Sequence, residues 1–169
     1  ANGRPNRLQH VRILDPFGAP DVVERWRSKT SNVRPLEMEI GFGPGSFLIA
    51  RGQNNPATTF LGFEVRTKQC SELLDRVDEL NLENVWVIQT DARPVLQSWI
   101  ADEQLRELHI NFPDPWWKKR HHKRRIFTPG FVEVAAAKLE TGGSVWLRTD
   151  VEAYAKHVEE LFADSSLFE

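Results

Sequence analysis

Asn111-Phe112-Pro113-Asp114-Pro115-Trp116-Trp117, followed by Lys118-Lys119-Arg120-His121-His122-Lys123-Arg124-Arg125, sets one carboxylate between two prolines, then two indoles, then a block of cations. The prolines restrict the backbone around Asp114 and remove competing N–H donors, so a stiff loop presents the acid. Six of the eight residues from Lys118 to Arg125 are Lys or Arg, in a chain of formal charge −2, which leaves the remainder near −8. Positive charge is therefore local. Local cations beside flat rings suit a nucleic acid, because the cations neutralise phosphates and the rings stack on bases. A solvated charged helix is the competing account of such a run. It would more usually interleave acids, and this run has none. Pro-Asp-Pro alone also fits a capped rigid turn, and either indole could equally cover the core.

Glu39-Ile40-Gly41-Phe42-Gly43-Pro44-Gly45 lies where a strand pattern gives way to a helical one. Glycines there allow a tight turn, close ligand approach and exposed amides at a helix N-terminus. Glu64 follows about 20 residues later, the spacing expected of an acid that holds ribose hydroxyls. Asp91 ends the third strand pattern, where it can reach the adenine side of the same ligand. The glycines read G-x-G-x-G with Ser46 next, so the third glycine of a dinucleotide fingerprint is missing. Glu39 would repel a pyrophosphate but favour an ammonium or a sulfonium. S-adenosylmethionine has both cations and an adenosine without phosphate, and fits these residues better than NAD. A single cysteine, Cys70, and the lack of H-x-x-x-H or comparable spacing argue against a metal site.

The elements that must position these residues alternate. Strands are expected at Leu36–Ile40, Thr59–Phe63, Asn84–Gln89, Leu105–Ile110 and Ser144–Arg148. Helices are expected at Ser46–Gln53, Arg66–Leu80, Pro94–Ile100, Pro129–Leu139 and Val151–Phe162. Cys70, Leu73, Leu74, Val77 and Leu80 give the second helix its apolar face. Thr128 is placed to cap the fourth, and Gly142-Gly143 reads as its stop. Strands regularly separated by helices imply an α/β fold, a doubly wound, mostly parallel sheet with helices on both faces. Ligands bind beyond the carboxyl ends of such strands. Asp150 ends the fifth strand pattern there, as a substrate contact or as the cap of the last helix.

Residues 1–35 form a polar arm rich in Pro and Gly, with one short helix expected around Asp21–Ser28, ahead of a single domain over 36–169. No run of about 18 apolar residues predicts a membrane span. The basic start lacks a secretory signal, and one cysteine fits a reducing, cytoplasmic setting. The Ala1 start and the end at Phe168-Glu169 fit a trimmed chain.

With the E-I-G-x-G-x-G turn, Glu64, Asp91 and F-P-D-P-W-x-K-x-R-H-x-K-R-R in view, the chain resembles the bacterial-type tRNA (guanine-N7)-methyltransferases of the class I methyltransferase fold. The likeness runs from about Gly3 to the final helix, and Gly3-Arg4 with Gln9 is similar to the family's opening G-R-x-x-x-x-Q. The resemblance implies methyl transfer from S-adenosylmethionine to N7 of a guanine in the tRNA variable loop, at position forty-six. It implies that Glu39, Gly41, Gly43, Gly45, Glu64, Asp91, Ala92 and Asn111 contact the cofactor and that Asp114 is catalytic. Lys118 and Asp150 would touch substrate, and Arg120, Lys123, Arg124 and Arg125 would bind RNA. Guanine N7 has an available lone pair, so positioning matters more than a strong base. Asp114 would accept from N1–H and N2–H₂ and oppose the charge that methylation develops.

One departure concerns the family's T-x-[FY]-E motif on two further strands. Ser166-Leu167-Phe168-Glu169 follows Asp150 too closely to be that motif, so the sheet is expected to lack its last two strands and part of the guanine pocket. Two other readings remain: an exocyclic amino methyltransferase, since Asn111-Phe112-Pro113 is loosely similar to N-P-P-[YF], and an RNA-binding module with a vestigial cofactor pocket.

Overall fold

The computed structural model describes residues 35–116, 120 and 124–169. Strands β1 (Leu36–Ile40), β2 (Thr59–Glu64), β3 (Val85–Gln89), β4 (Leu105–Asn111) and β5 (Leu139–Arg148) pair in parallel in the order β3-β2-β1-β4-β5. Helices α1 (Ser46–Asn54), α2 (Thr67–Glu79), α3 (Ala92–Ser98), α4 (Pro129–Lys138) and α5 (Glu152–Ala163) connect and follow them. The chain steps outward from β1 to β3, then returns to lay β4 on the other side of β1. That reversal opens a crevice beyond the carboxyl ends of β1 and β4.

Strand alternation divides the core between the faces. Met38, Leu61, Phe63, Ile88, Leu108 and Ile110 meet Val95, Leu96, Phe131, Ala135, Tyr154 and Val158 on one side. Phe60, Val85 and Val87 meet Leu48, Ile49, Cys70, Leu73 and Val77 on the other. Burying each large side chain contributes about 1.5–3 kcal/mol, so both faces need their helices. Leu80, expected in the core, is 43% exposed because α2 ends at Glu79 and Leu80 forms its cap.

Two elements depart most from the sequence expectation. Asp91 caps α3 by accepting from Arg93 N at 3.0 Å, so the helix begins at Ala92 and Pro94 falls inside its first turn, where no N–H is required. Gly142-Gly143 does not stop a helix: β5 starts at Leu139, and the pair lies within it. A Cβ on Gly143 would stand 2.8 Å from Glu140 O and 3.0 Å from Arg106 O, where the β4–β5 register slips between Leu105 and Glu107. The glycine lets two backbones pass at a bulge. Gly143→Ala should therefore destabilise by roughly 1–3 kcal/mol in thermal melts. Gly130→Ala, where an added Cβ meets nothing within 4 Å, should not.

The expected helix at Asp21–Ser28 and the Gly3-Arg4 and Gln9 motif lie outside the described residues. So do Trp117, Lys118, Lys119, His121, His122 and Lys123.

Candidate active site

Beyond the β1–β4 crevice lies a cavity of about 510 Å³ whose wall includes Gly41, Glu64, Asp91, Asn111, Asp114 and Arg124. Three acids and one glycine that the sequence spreads over 74 positions thus face one space, because four parallel strands end side by side. Gly41, Gly43 and Gly45 all take left-handed backbone angles, with φ of 72°, 53° and 72°. Gly41 N donates to Phe63 O at 2.7 Å and ties the turn to β2. Gly45 caps α1 without a side-chain bond, so the first turn of that helix presents its amides toward the loop.

Glu39 sits beneath the loop at 2% exposure. Its Oε1 accepts from Asn111 Nδ2 at 2.7 Å, while its Oε2 is buried with no partner. Burial raises its pKa to about 7, outweighing the Asn111 hydrogen bond and the charge of Arg148. Arg148 Nη1 in turn donates to Asn111 Oδ1 at 2.9 Å, and its guanidinium lies 5.2 Å from the Phe47 ring. Asn111 thus orients Glu39 and is itself held from β5. An unpartnered buried carboxylate oxygen is a costly arrangement unless a cationic group arrives to pair with it.

Glu64 receives Gly43 N at 3.2 Å and both Arg66 Nε and Nη2, at 3.1 and 2.9 Å. Burial would raise its pKa, but the Arg66 hydrogen bonds and charge outweigh that and lower it. Asp91 is likewise lowered against its burial by Arg93, whose Nη2 lies 2.5 Å away. Both acids are therefore ionised acceptors on the cavity wall, able to take paired hydroxyl or amine donors. Ala92 is buried at the start of α3.

Asp114 stands exposed on the loop after β4. Two cations of the basic segment, Arg124 and Arg125, pack against that loop. Arg124 places its guanidinium 4.9 Å from the Trp116 ring, and Arg125 Nε donates to Pro115 O at 2.9 Å. Arg125 also lies 5.7 Å from the ring of buried Tyr154, so this cation turns inward, whereas Arg120 is exposed. Asp150 is exposed just past β5 and does not cap α5. That helix begins at Glu152, and Thr149 Oγ1 accepts Val151 N at 3.2 Å instead. Asp150 is not part of the cavity wall that Asp114 shares with Glu64.

Sequence reasoning missed one polar group entirely. Glu37, fully buried in β1, accepts from Arg51 Nη2 at 2.5 Å and from Arg106, and lies 3.5 Å from His109 Nε2. Burial alone would raise its pKa, yet His109 and the two arginines hold it down at about 2. Glu37, Glu107 and His109 have metal-ligand types, with donor atoms within 4.8 Å of one another. Arg51 Nη2 already lies between the two carboxylates, at 2.9 Å from Glu107, and supplies the positive charge. The acidic residue in an otherwise apolar strand pattern was the available signal; its partners on α1 and β4 were not readable from spacing.

A family model described as "Putative methyltransferase" matches residues 33–169. A tRNA (guanine-N(7)-)-methyltransferase of Methylobacillus flagellatus is 42% identical over 98% of this chain and 74% of its own length. Its namesake in Idiomarina loihiensis is 45% identical over 77% of this chain and 53% of its own. The chain thus spans about half to three quarters of the length of the relatives it matches. The crystal structure of the precorrin-6y C5,15-methyltransferase of Geobacter metallireducens superposes with TM-score 0.60 at 14% identity, over 83% of this chain and 69% of that one, and shares the fold. A five-stranded doubly wound sheet, a glycine turn above a buried acid, and identity near 42% across almost its whole length lead to one assignment: the chain belongs to the tRNA (guanine-N7)-methyltransferase family.

Proposed function

We propose that this protein transfers a methyl group from S-adenosylmethionine to N7 of a guanine in the variable loop of tRNA. The observation that carries the reading is that Asp114 lines the same cavity as the glycine turn, Glu64 and Asp91. The residues fit the methyl donor. Glu39 Oε2 is a buried acceptor without a partner, suited to the ammonium, and Glu64 and Asp91 are ionised acceptors suited to the ribose and adenine. Arg66 and Arg93 would yield those oxygens as the hydroxyls arrive. When bound, S-adenosylmethionine supplies a methyl carbon activated by its sulfonium.

Guanine N7 attacks with its own lone pair, the carbon–sulfur bond breaks, and the electron pair remains on sulfur; no proton need leave N7. Asp114 then has two tasks, to hold the base by its N1–H and N2–H₂ edge and to oppose the positive charge that grows on the purine. Asp150 and Lys118 would complete the hold on substrate. The cations from Arg120 to Arg124 would carry the RNA backbone. Among the described residues no helix is long and apolar enough to cross a membrane. A tRNA substrate would be met in the cytoplasm.

Incubation of the protein with labelled S-adenosylmethionine and unmodified tRNA, followed by nucleoside mapping, tests the reading. Label should appear as 7-methylguanosine. Label on an exocyclic amine, or RNA binding without transfer, would overturn it. The basic segment gives a separate expectation. Arg120→Ala should flatten the plot of log affinity against log salt by about 0.7–0.9. Arg125→Ala should leave that slope unchanged, since its Nε donates to Pro115 O and its guanidinium lies inward beside the ring of buried Tyr154. Equal slopes for both variants and the parent protein would remove Arg120 from the RNA contact.

A further inference from the structure

Phe112 holds a left-handed backbone angle, φ 51°, that a bulky side chain rarely adopts, and its ring is nevertheless 65% exposed. Strain is ordinarily offset by packing, and this ring has little. The bend is not loose, since Phe112 N donates to Arg148 O at 2.7 Å and locks the turn to β5. The ring borders the 510 Å³ cavity together with Asp114, and also a second hollow of about 640 Å³ together with Arg148. It therefore stands on the partition between the two, two residues before Asp114. Trp116, the other aromatic bordering that cavity among the described residues, lies beneath Arg124. Strained backbone positions cluster at active sites and ligand clamps, where the strain is part of how the site is preorganised.

We propose that Phe112 is the platform on which the target guanine stacks while Asp114 holds the edge of the same base. The proposal rests on the methyl-transfer reading above and adds what that reading lacks, a surface for the face of the ring. A base taken out of its stack needs such a surface, and aromatic side chains commonly provide it. The position also bears on rate. Methylation at N7 makes the purine cationic, and a cation is attracted to the face of an aromatic ring. Phe112 would thus bind the transition state better than the neutral base, lowering the barrier as well as orienting the substrate.

Three variants test this in the protein that carries out the labelled-tRNA reaction. Phe112→Tyr keeps the ring and should retain kcat/KM within about threefold. Phe112→Leu keeps apolar bulk without the ring and should lose kcat/KM by about 5- to 150-fold, the range for one lost base–aromatic stack, mostly in kcat. Its affinity for S-adenosylmethionine should not change. Phe112→Gly relaxes the left-handed residue, so its Tm should equal or exceed that of the parent while turnover falls. Equal kcat/KM for the Leu and Tyr variants overturns the proposal. So does a fall in Tm for both the Leu and Gly variants, which would show that the ring packs against the protein itself. A parent protein that puts no label on N7 refutes the methyl-transfer reading first, and is distinguished from these outcomes by the control.

Discussion

Asp114→Ala is expected to lower turnover by at least about a hundredfold and to leave the affinity for S-adenosylmethionine within about threefold. The acid lines the cavity, but the glycine turn is anchored elsewhere, through Gly41 N on Phe63 O and Gly43 N on Glu64. Removing the Asp114 carboxylate therefore leaves the cofactor's supports in place. Asp114→Asn separates the two tasks assigned to the side chain. It keeps one acceptor oxygen for the guanine edge but loses the negative charge opposing the developing cation. Turnover for Asn between that of Ala and the parent would divide the effect between hydrogen bonding and charge. Single-turnover assays with saturating tRNA and calorimetry of cofactor binding measure the two quantities. Unchanged turnover in Asp114→Ala would take this residue out of the chemistry.

Glu39→Gln should abolish tight cofactor binding while making the free protein more stable at alkaline pH. The folded protein keeps a proton on Glu39 up to about pH 7, whereas an ordinary glutamate loses it near 4.5. The native state thus binds the extra proton, so folding stability falls as pH rises from about 4.5 to about 7 and stays reduced above that. The shift corresponds to at most about 3 kcal/mol, less whatever the buried amide of Gln loses for want of an acceptor. The Tm of Glu39→Gln should exceed that of the parent at pH 8 and approach it below about pH 5. Cofactor binding should run the opposite way. Only the ionised acid pairs with an ammonium, so parent affinity should weaken by up to about tenfold per unit as pH drops below 7. Equal melting curves for the two proteins at pH 8, or affinity flat from pH 6 to 8, would contradict the buried-acid account.

Much of this site was legible in the chain. Glu64 and Asp91 end strand patterns and Asp114 follows the fourth, and in a parallel sheet strand ends converge, so their meeting followed from topology. The Gly41–Gly45 turn was marked by residues that tolerate its left-handed angles. Asn111 was placed in the site only by the family resemblance. Its task, receiving Arg148 and orienting Glu39, depends on β4 and β5 being neighbours in register. Arg125 was indistinguishable in the sequence from its cationic neighbours, and only the structure sets it on Pro115 O.

Local chemistry thus determined the element types, their alternation and the ends at which function gathers, because periodicity, turn residues and charge type are properties of short segments. Tertiary structure alone decided which charges are paired and which are left waiting. Glu37 and Glu39 lie two residues apart on the same face of one strand. One is held down near pKa 2 by His109 and by arginines from α1 and β4, while the other is driven up to about 7 by burial with an unpartnered oxygen. Nothing in their immediate sequence separates them. The difference arises from partners 14 and 69 residues away that only the folded sheet brings within hydrogen-bonding distance.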